Sequence, residues 1–420
     1  MKNFVLFALG LMSITARAQD YSGQYQRSIS GVLANIQLSG AVVASPSTSE
    51  PNYSYDWVRD TALTMKTMAR IAYAPETPSG LKQDLLMKLD RWIHWELHLQ
   101  ETPKLTDLGE PRFNLNGTAN FDPWGRPQND GPALRALTAM EIANHWINEG
   151  RLKEVQTLLY NGVLPANTLI KRDLEYVAHH WNETSFDLWE EERGFHFYTL
   201  TAQKVAMLKG ALLARRLGDS AAADFYNDQA NQIQILLNGF YDPSSGTIRY
   251  TINKVGGLPH KTSSLDIAVI LAAIQTFDGS FYVPVKAVYQ TLSSLTSAFN
   301  SIYSINQVKQ GFSGETLGVA LGRYPQDIYS GAGFGEGNPW FLSTLASAEF
   351  LCDLSHTNIG FRAKSNLDEI SKSQFNRVLH HMLPNGALSE QFNRHNGYEQ
   401  GARDLTWSYV SYLTAYRACF

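Results

Sequence analysis

Three glutamates in a row, Glu190-Glu191-Glu192, follow Trp189 in the segment Asp187-Leu188-Trp189-Glu190-Glu191-Glu192. Ionised carboxylates this close repel one another, so at least one is expected to keep its proton to higher pH once partly buried. A glutamic acid protonated near neutrality is what general acid catalysis needs. The same run also suits a solvated acidic helix start, favoured by the helix dipole. A second carboxylate, Glu390, stands far along the chain in Ala387-Leu388-Ser389-Glu390-Gln391-Phe392, where the alternative is an ordinary exposed side chain. Arg59-Asp60 lies beside Tyr53, Tyr55 and Trp57. Sugars present hydroxyl edges and apolar C–H faces, so Asp/Arg forks against Trp/Tyr walls fit a carbohydrate pocket. Two separated carboxylates are then the pair that glycoside hydrolysis requires.

Other chemistries fit less well. His94 and His98 share a helix face, but Glu96 falls at the wrong place for an H-E-x-x-H site and no third ligand is indicated, so no metal is expected. There is no G-x-S-x-G elbow. The run Gly331-Ala332-Gly333-Phe334-Gly335-Glu336-Gly337 lacks both the G-x-G-x-x-G spacing and a following Lys-Ser/Thr, and reads as a flexible loop over a site. The two cysteines, Cys352 and Cys419, make neither a disulfide scaffold nor a metal site. They form one bridge in an oxidising compartment or remain free.

Helices must carry these groups. Met65, Met68, Ala69 and Ala72 follow the i, i+3, i+4, i+7 pattern, and Ile267 to Ile274 is apolar without a break, which suits a helix enclosed on all sides. Gly131-Pro132 and Asn338-Pro339 each read as a cap followed by Pro at the first helical position, and Asp404 as an early residue of the last helix. About a dozen helices at a spacing near thirty residues are expected, the range of repeated helical pairs. No Pro/Ser/Gly linker divides the chain, so one domain is expected. The connections 114–130, 184–195, 323–338 and 383–403 mix carboxylates, Arg, Trp, Tyr and Gly, as loops that bind and catalyse do.

The 420 residues are 44% hydrophobic and 18% charged, which excludes disorder, and a net charge of -4 gives no basic face for nucleic acid. The longest apolar run, Phe4 to Ile14, is too short to span a membrane. With Met1-Lys2-Asn3 before it and Ala16-Arg17-Ala18 after it, it reads as a secretory signal over residues 1–18, removed before Gln19. Asn52, Asn116 and Asn182 begin formal glycosylation acceptors, the first two of which lie in or beside the expected site and read as chance matches. Composition leaves the 20 Tyr, 20 Phe and 9 Trp open as core filler or as a wall for a flat polar ligand.

Five motifs in order resemble the glucoamylases, the glucan 1,4-α-glucosidases of glycoside hydrolase family 15. Val42-Val43-Ala44-Ser45-Pro46-Ser47 with Tyr53-Ser54-Tyr55-Asp56-Trp57-Val58-Arg59-Asp60 is similar to the first. Trp124-Gly125-Arg126-Pro127-Gln128 with Asp130-Gly131-Pro132-Ala133-Leu134-Arg135 is similar to the second, and Asp187-Leu188-Trp189-Glu190-Glu191 to the third. Arg323-Tyr324-Pro325 leading to Gly337-Asn338-Pro339-Trp340 resembles the fourth. Ser389-Glu390-Gln391-Phe392 with Ala402-Arg403-Asp404-Leu405-Thr406-Trp407-Ser408-Tyr409 resembles the last.

The resemblance implies an all-α (α/α)6 barrel over residues 19–420, a single catalytic domain. It implies an inverting exo-hydrolase, with no cofactor, that removes glucose from non-reducing ends of α-1,4 glucans and maltooligosaccharides, and more slowly cuts α-1,6 links. Glu190 would be the general acid and Glu390 the general base, an inverting pair standing roughly 6.5–9.5 Å apart. Tyr53 would lie near the reaction centre, while Arg59 and Asp60 would hold the terminal glucose. Trp57, Trp124, Trp340 and Trp407 would line the pocket, and Glu191 with Arg323 would bind the next ring. Asp187 and Trp189 would support the acid, Asp187 by adding negative charge. An exported monomer, extracellular or periplasmic, without nucleic-acid or membrane partners is expected. The chain carries Asp56 where Thr is common, Asn129 where Arg is common, and a Gly-rich stretch longer than expected between Asp327 and Asn338. No starch-binding module is read after Phe420, so weak action on granular starch is expected. A glucodextranase-like preference for α-1,6 links and a catalytically silent sugar-binding protein are the alternatives, the latter disfavoured by glutamate at both catalytic positions.

Overall fold

A computed structural model describes residues 20–420 apart from 358, 361 and 362, so the expected signal segment lies outside the described residues. Thirteen helices occur among these: α1 (Tyr21–Asn35), α2 (Val58–Ala72), α3 (Ser79–Glu101), α4 (Asp130–Asn148), the single turn α5 (Leu152–Glu154), α6 (Leu169–His180), α7 (Phe197–Arg216), α8 (Ser220–Asn238), α9 (Ala268–Gln275), α10 (Val285–Ile302), α11 (Phe341–His356), α12 (Lys364–His381) and α13 (Thr406–Cys419). Going round the molecule, α2 packs on α4, α4 on α7, α7 on α9, α9 on α11 and α11 on α13, and α13 closes the ring on α2. An outer helix covers each: α3 on α2, α6 on α4, α8 on α7, α10 on α9, α12 on α11 and α1 on α13. This is the (α/α)6 barrel expected from the sequence.

Burial follows the pattern of side chains. The inner α9 is buried from Ala268 to Ile274 and is apolar on every side; α11 is buried from Phe341 to Leu354, mostly apolar or small, with Glu349 and Asp353 buried near its C-terminal end. The outer α8 buries one stripe, Ala222, Ala223, Tyr226, Ala230, Ile233 and Leu237, and leaves its other faces in water. Met65, Met68, Ala69 and Ala72 of α2 are all buried, as their spacing predicts.

Two helix starts differ from expectation. α4 begins at Asp130, with Asn129 as its cap, so Pro132 is the third helical residue. The first-turn amides have no intrahelical partner, so proline is tolerated there, and Asp130 gains the positive end of the helix. α11 begins only at Phe341, because 338–340 run extended against the following loop: Phe392 donates its N–H to the Pro339 carbonyl at 3.1 Å, and Trp340 pairs with Gln391. Asp404 likewise precedes α13, with φ 47.

The inner helices run in one direction, so the loops before them gather at one mouth of the ring. Short strands pin those loops: β1 (Asp56–Trp57) with β2 (Arg112–Phe113), β3 (Ser185–Phe186) with β4 (Arg193–His196), and β8 (Gln391–Phe392) with β9 (Glu399–Gln400). β5 (Tyr241–Asp242) pairs with β6 (Thr247–Ile248), and β7 (Thr251–Val255) adds to β4. At the opposite mouth, helix C-termini surround a cavity of about 780 Å³ lined by Lys66, Arg70, Glu141, Glu349 and Asp353 among others. Nearby, Cys352 of α11 and Cys419 of α13 form a disulfide, settling the choice the sequence leaves open.

That bond spans 67 residues of chain, a loop whose closure in the unfolded state is worth about 2–4 kcal/mol. The double variant Cys352→Ala, Cys419→Ala is expected to melt several degrees lower by calorimetry, and dithiothreitol should lower the melting point of the unaltered protein but not that of the variant.

Candidate active site

The N-terminal mouth opens into a cavity of about 410 Å³. Tyr53, Trp57, Arg59, Asp60, Trp124, Trp189, Glu190, Glu191, Arg323, Trp340, Glu390 and Trp407 all line it, so every pocket residue expected from the sequence is brought to one place. Ala44, Pro123, Gly125, Leu188, Tyr329, Phe334 and Leu405 complete the lining.

Glu190 sits at the end of a tight turn. Its N–H bonds the Asp187 carbonyl at 2.9 Å, while Oδ1 of Asp187 accepts the N–H groups of Glu191 at 2.8 Å and Glu192 at 3.1 Å. The turn forces Glu190 to φ 66, a left-handed conformation costly for a residue with a Cβ. Asp187 therefore holds Glu190 through the backbone it caps, and the charge facing it is that of Lys261 rather than that of Glu190. One oxygen of Glu190 is heavily used: Oε1 accepts Trp57 Nε1 at 2.7 Å and Gln128 Nε2 at 3.0 Å, with Arg59 Nη2 at 3.7 Å. Oε2 has no hydrogen bond from a described residue and borders the cavity.

The three neighbouring acids separate by environment. Burial raises Glu191, opposed by Arg323, whose Nη2 bonds Glu191 Oε1 at 2.8 Å. Glu192 turns away from the cavity; burial works against its charge, but Tyr250, Lys261 and Lys254 hold it below the usual carboxylate range. Lys261 is fully buried behind the turn, 2.8 Å from Asp266, which accepts Trp189 Nε1 at 3.0 Å. Burial alone would discharge this ammonium; Asp266, Asp187 and Glu192 more than offset it and keep it protonated.

Glu390 is fully buried, unlike the exposed glutamate its loop sequence suggests. Tyr329 donates its hydroxyl to Oε2 at 3.3 Å, Gln391 Nε2 lies 3.4 Å from the same oxygen, and Tyr53 and Tyr329 hydroxyls are 3.0 Å apart. Burial pushes the carboxyl up to about 8, while the Arg323 charge and the two tyrosine hydroxyls act the other way. Gly401, at φ 76, is required here, because a Cβ on it would fall 2.5 Å from Glu390 Oε2.

Two arginine clusters flank the acids. Arg59 Nη1 bonds Asp130 at 2.8 Å and Gln128 at 3.0 Å, and its Nε lies 3.5 Å from Asp60. Burial raises Asp60 to about 7 against the Arg59 charge, and its Oδ1 has no hydrogen-bond partner. Arg323 grips Asp327 through Nε at 2.8 Å and Nη2 at 2.7 Å, and Tyr324 bonds Glu191 Oε2 at 2.8 Å. Trp189 stacks on Trp407 at 6.4 Å, and Arg112 lies 3.6 Å above the Trp124 ring.

Sequence reasoning missed Gln128, Asp130, Tyr324, Asp327, Tyr329 and Lys261. Gln128, Asp130 and Tyr324 lie inside quoted motifs, and Asp327 and Tyr329 follow Arg323 closely; for the two aspartates, the need of a buried arginine for a carboxylate was the available signal. Lys261 has none, being brought in only by the fold. Of the departures, Asp56 is fully buried and accepts Trp95 Nε1 at 2.8 Å, and Asn129 accepts the Tyr176 hydroxyl at 3.0 Å.

The family model described as glycosyl hydrolases family 15 matches residues 19–417. The chain is 36% identical to the glucoamylase of Blastobotrys adeninivorans, over 91% of this chain and 68% of that one. It is 35% identical to the probable glucoamylase of Schizosaccharomyces pombe, over 92% and 86% of the two chains. A solved structure of the glucoamylase from Saccharomycopsis fibuligera superposes with a TM-score of 0.81 at 28% identity, covering 95% of this chain and 94% of the other.

Glu390 keeps its proton to about 8 in the folded state, against a usual value of 4.5. The native state thus binds that proton more tightly than the unfolded chain, and this contribution to stability is lost as pH rises from about 4.5 to 8. Glu390→Gln, neutral throughout, is expected to melt higher than the unaltered protein at pH 8 and alongside it at pH 4, followed by calorimetry.

Proposed function

The chain belongs to glycosyl hydrolases family 15, and from that membership we propose that it is an inverting exo-acting glucan 1,4-α-glucosidase releasing β-D-glucose from non-reducing ends of α-1,4 glucans. Its relatives named glucoamylase support the activity. The observation that carries the mechanism is the contrast between the two carboxylates: Glu190 has one oxygen saturated by donors and the other turned free to the cavity, while Glu390 is buried among hydroxyl donors in the same cavity.

In this reading Glu190 Oε2 gives its proton to the glycosidic oxygen as the C1–O bond breaks. Trp57 and Gln128 hold Oε1 as an acceptor, which keeps the proton on the oxygen that faces substrate. Glu390 takes a proton from water as the water oxygen attacks C1 from the opposite face, inverting it. Glu390 must be ionised for this step, and Tyr329, Tyr53 and Arg323 oppose the burial that favours its acid form. Solvent then takes the proton from Glu390 and returns one to Glu190, which restores both groups. Arg59, Asp60 and Trp407 close the pocket around the terminal glucose, which gives exo action; Trp57, Trp124, Trp189 and Trp340 offer ring faces; Glu191 and Arg323 meet the next sugar. Glu190 and Glu390 serve as acid and base in a single catalytic domain, with α-1,6 links cut more slowly. The segment Met1–Ala18 and the disulfide support export into an oxidising compartment.

Proton NMR of maltotriose hydrolysis is expected to show the β-anomer of glucose first; initial α-glucose would sink the inverting mechanism. Glu190→Gln and Glu390→Gln should each lower kcat by about a hundredfold or more. Removing a hydroxyl that stabilises the Glu390 anion raises its pKa, so Tyr329→Phe should shift the acid limb of kcat/KM to higher pH.

A further inference from the structure

The mouth opposite the catalytic cavity holds charged groups that sugar cleavage does not employ. Its cavity, about 780 Å³, is larger than the catalytic one, at about 410 Å³. The inner helices end here, so the negative ends of their dipoles face the space.

Pairing of the charges around this cavity leaves one carboxylate over. Arg70 of α2 bonds Glu141 of α4 at 2.9 Å, and Lys209 of α7 pairs with Asp278 just beyond α9. At the rim, Arg417 of α13 turns to Glu76 at 3.3 Å, and Arg216 of α7 to Asn144 and Asn148. Lys66 of α2 donates its Nζ to the Gln275 carbonyl at 2.7 Å and lies in the field of Glu349 on α11, which accepts the Thr414 hydroxyl at 2.5 Å. Asp353, one turn further along α11, is only 7% exposed, yet it accepts no hydrogen bond and makes no ion pair among the described residues. The charge of Glu349 opposes its ionisation; the one that favours it, Arg70, is already engaged by Glu141. α9 presents Ile274 to the cavity and no charge. Burial, with Glu349 beside it, pushes Asp353 up to about 8.

An acid buried without a donor, in the last turn of a helix whose dipole opposes its charge, lacks a cation. No third His, Cys, Asp or Glu stands with Glu349 and Asp353 to complete a metal site among the described residues. The rest of the wall is carbon: Leu137, Met140, Val205, Ile274 and Phe277, with the Tyr73 ring lying flat on His145 at 3.6 Å. That combination matches a cation with an apolar body. We propose that this mouth is a binding site for an organic ammonium, whose N–H groups Asp353 accepts while the apolar and aromatic wall covers its carbon body. The site is separate from the catalytic cavity and does not depend on the reaction carried out there.

Titration calorimetry with benzylammonium chloride at pH 8 should compare the unaltered protein with Asp353→Asn, which is expected to bind about tenfold more weakly. Benzyl alcohol, the same ring without the charge, should bind the unaltered protein about tenfold more weakly than benzylammonium does. Affinity for benzylammonium should also fall as the pH is lowered from 8 to 5, because a proton then takes the carboxylate that the ammonium needs. Equal affinity of benzylammonium for the two proteins, as binding in the catalytic cavity alone would give, overturns the proposal. So does benzyl alcohol binding as tightly as the ammonium, or no binding of the ammonium at all. Asp353→Asn removes a charge that burial disfavours and is expected to fold and to hydrolyse maltotriose at the unaltered rate; the comparison with benzyl alcohol needs no variant.

Discussion

Charge taken out of water needs a partner close by, and the pocket is organised around that requirement. Two buried arginines, Arg59 and Arg323, each sit among carboxylates at the mouth where the inner helices begin. Neither could be buried alone, since an unpaired ion in a low-dielectric interior costs several kcal/mol. Asp130 and Asp327 hold them from the protein side, while Asp60, Glu190 and Glu191 meet them from the cavity side. The positive ends of the helices add to this: Asp130 occupies the first turn of α4, and Asp266 accepts the Ala268 N–H at the start of α9.

The two cavity glutamates inherit their asymmetry from this arrangement. Glu190 is reached by indole, amide and guanidinium donors and keeps partial contact with solvent, at 16% side-chain exposure. Glu390 is sealed beneath Tyr329 and Gly401, where burial dominates its titration. Environments that differ this much set two chemically identical groups apart. The strained backbone at Glu190 belongs to the same account, because the turn capped by Asp187 and backed by Lys261 holds a conformation that an isolated chain would not choose.

Helical periodicity made α2 and α9 readable, and the five motifs brought together every pocket residue expected of them. Tryptophans separate by position: Trp57, Trp124, Trp189, Trp340 and Trp407 line the cavity, while of the four on helical stretches Trp92, Trp95 and Trp146 are buried, with Trp92 bonded to Glu96 and Trp95 to Asp56, and Trp181 is only partly buried and bonds Gln229. What stayed hidden depends on distant pairing. The two-residue strands that pin the loops carry too few residues for an alternating pattern, and the late start of α11 follows from contacts of 338–340 with β8, fifty residues on. Burial of Glu390 was invisible for the same reason: its neighbours in sequence are polar, and its cover comes from Tyr329 and Gly401. Lys261 is a cation in a Gly-containing loop until the fold sets it beside Asp266 and Glu192.

The ring of inner helices closes where α13 meets α2. α13 supplies that closure together with Trp407, and its far end is tied to α11 by Cys419. The two helices that meet there come from distant parts of the chain, and contacts of this range are formed late and slowly. The pocket wall that carries Trp407 is thus coupled to closure of the ring, and no single helical pair encloses the cavity by itself.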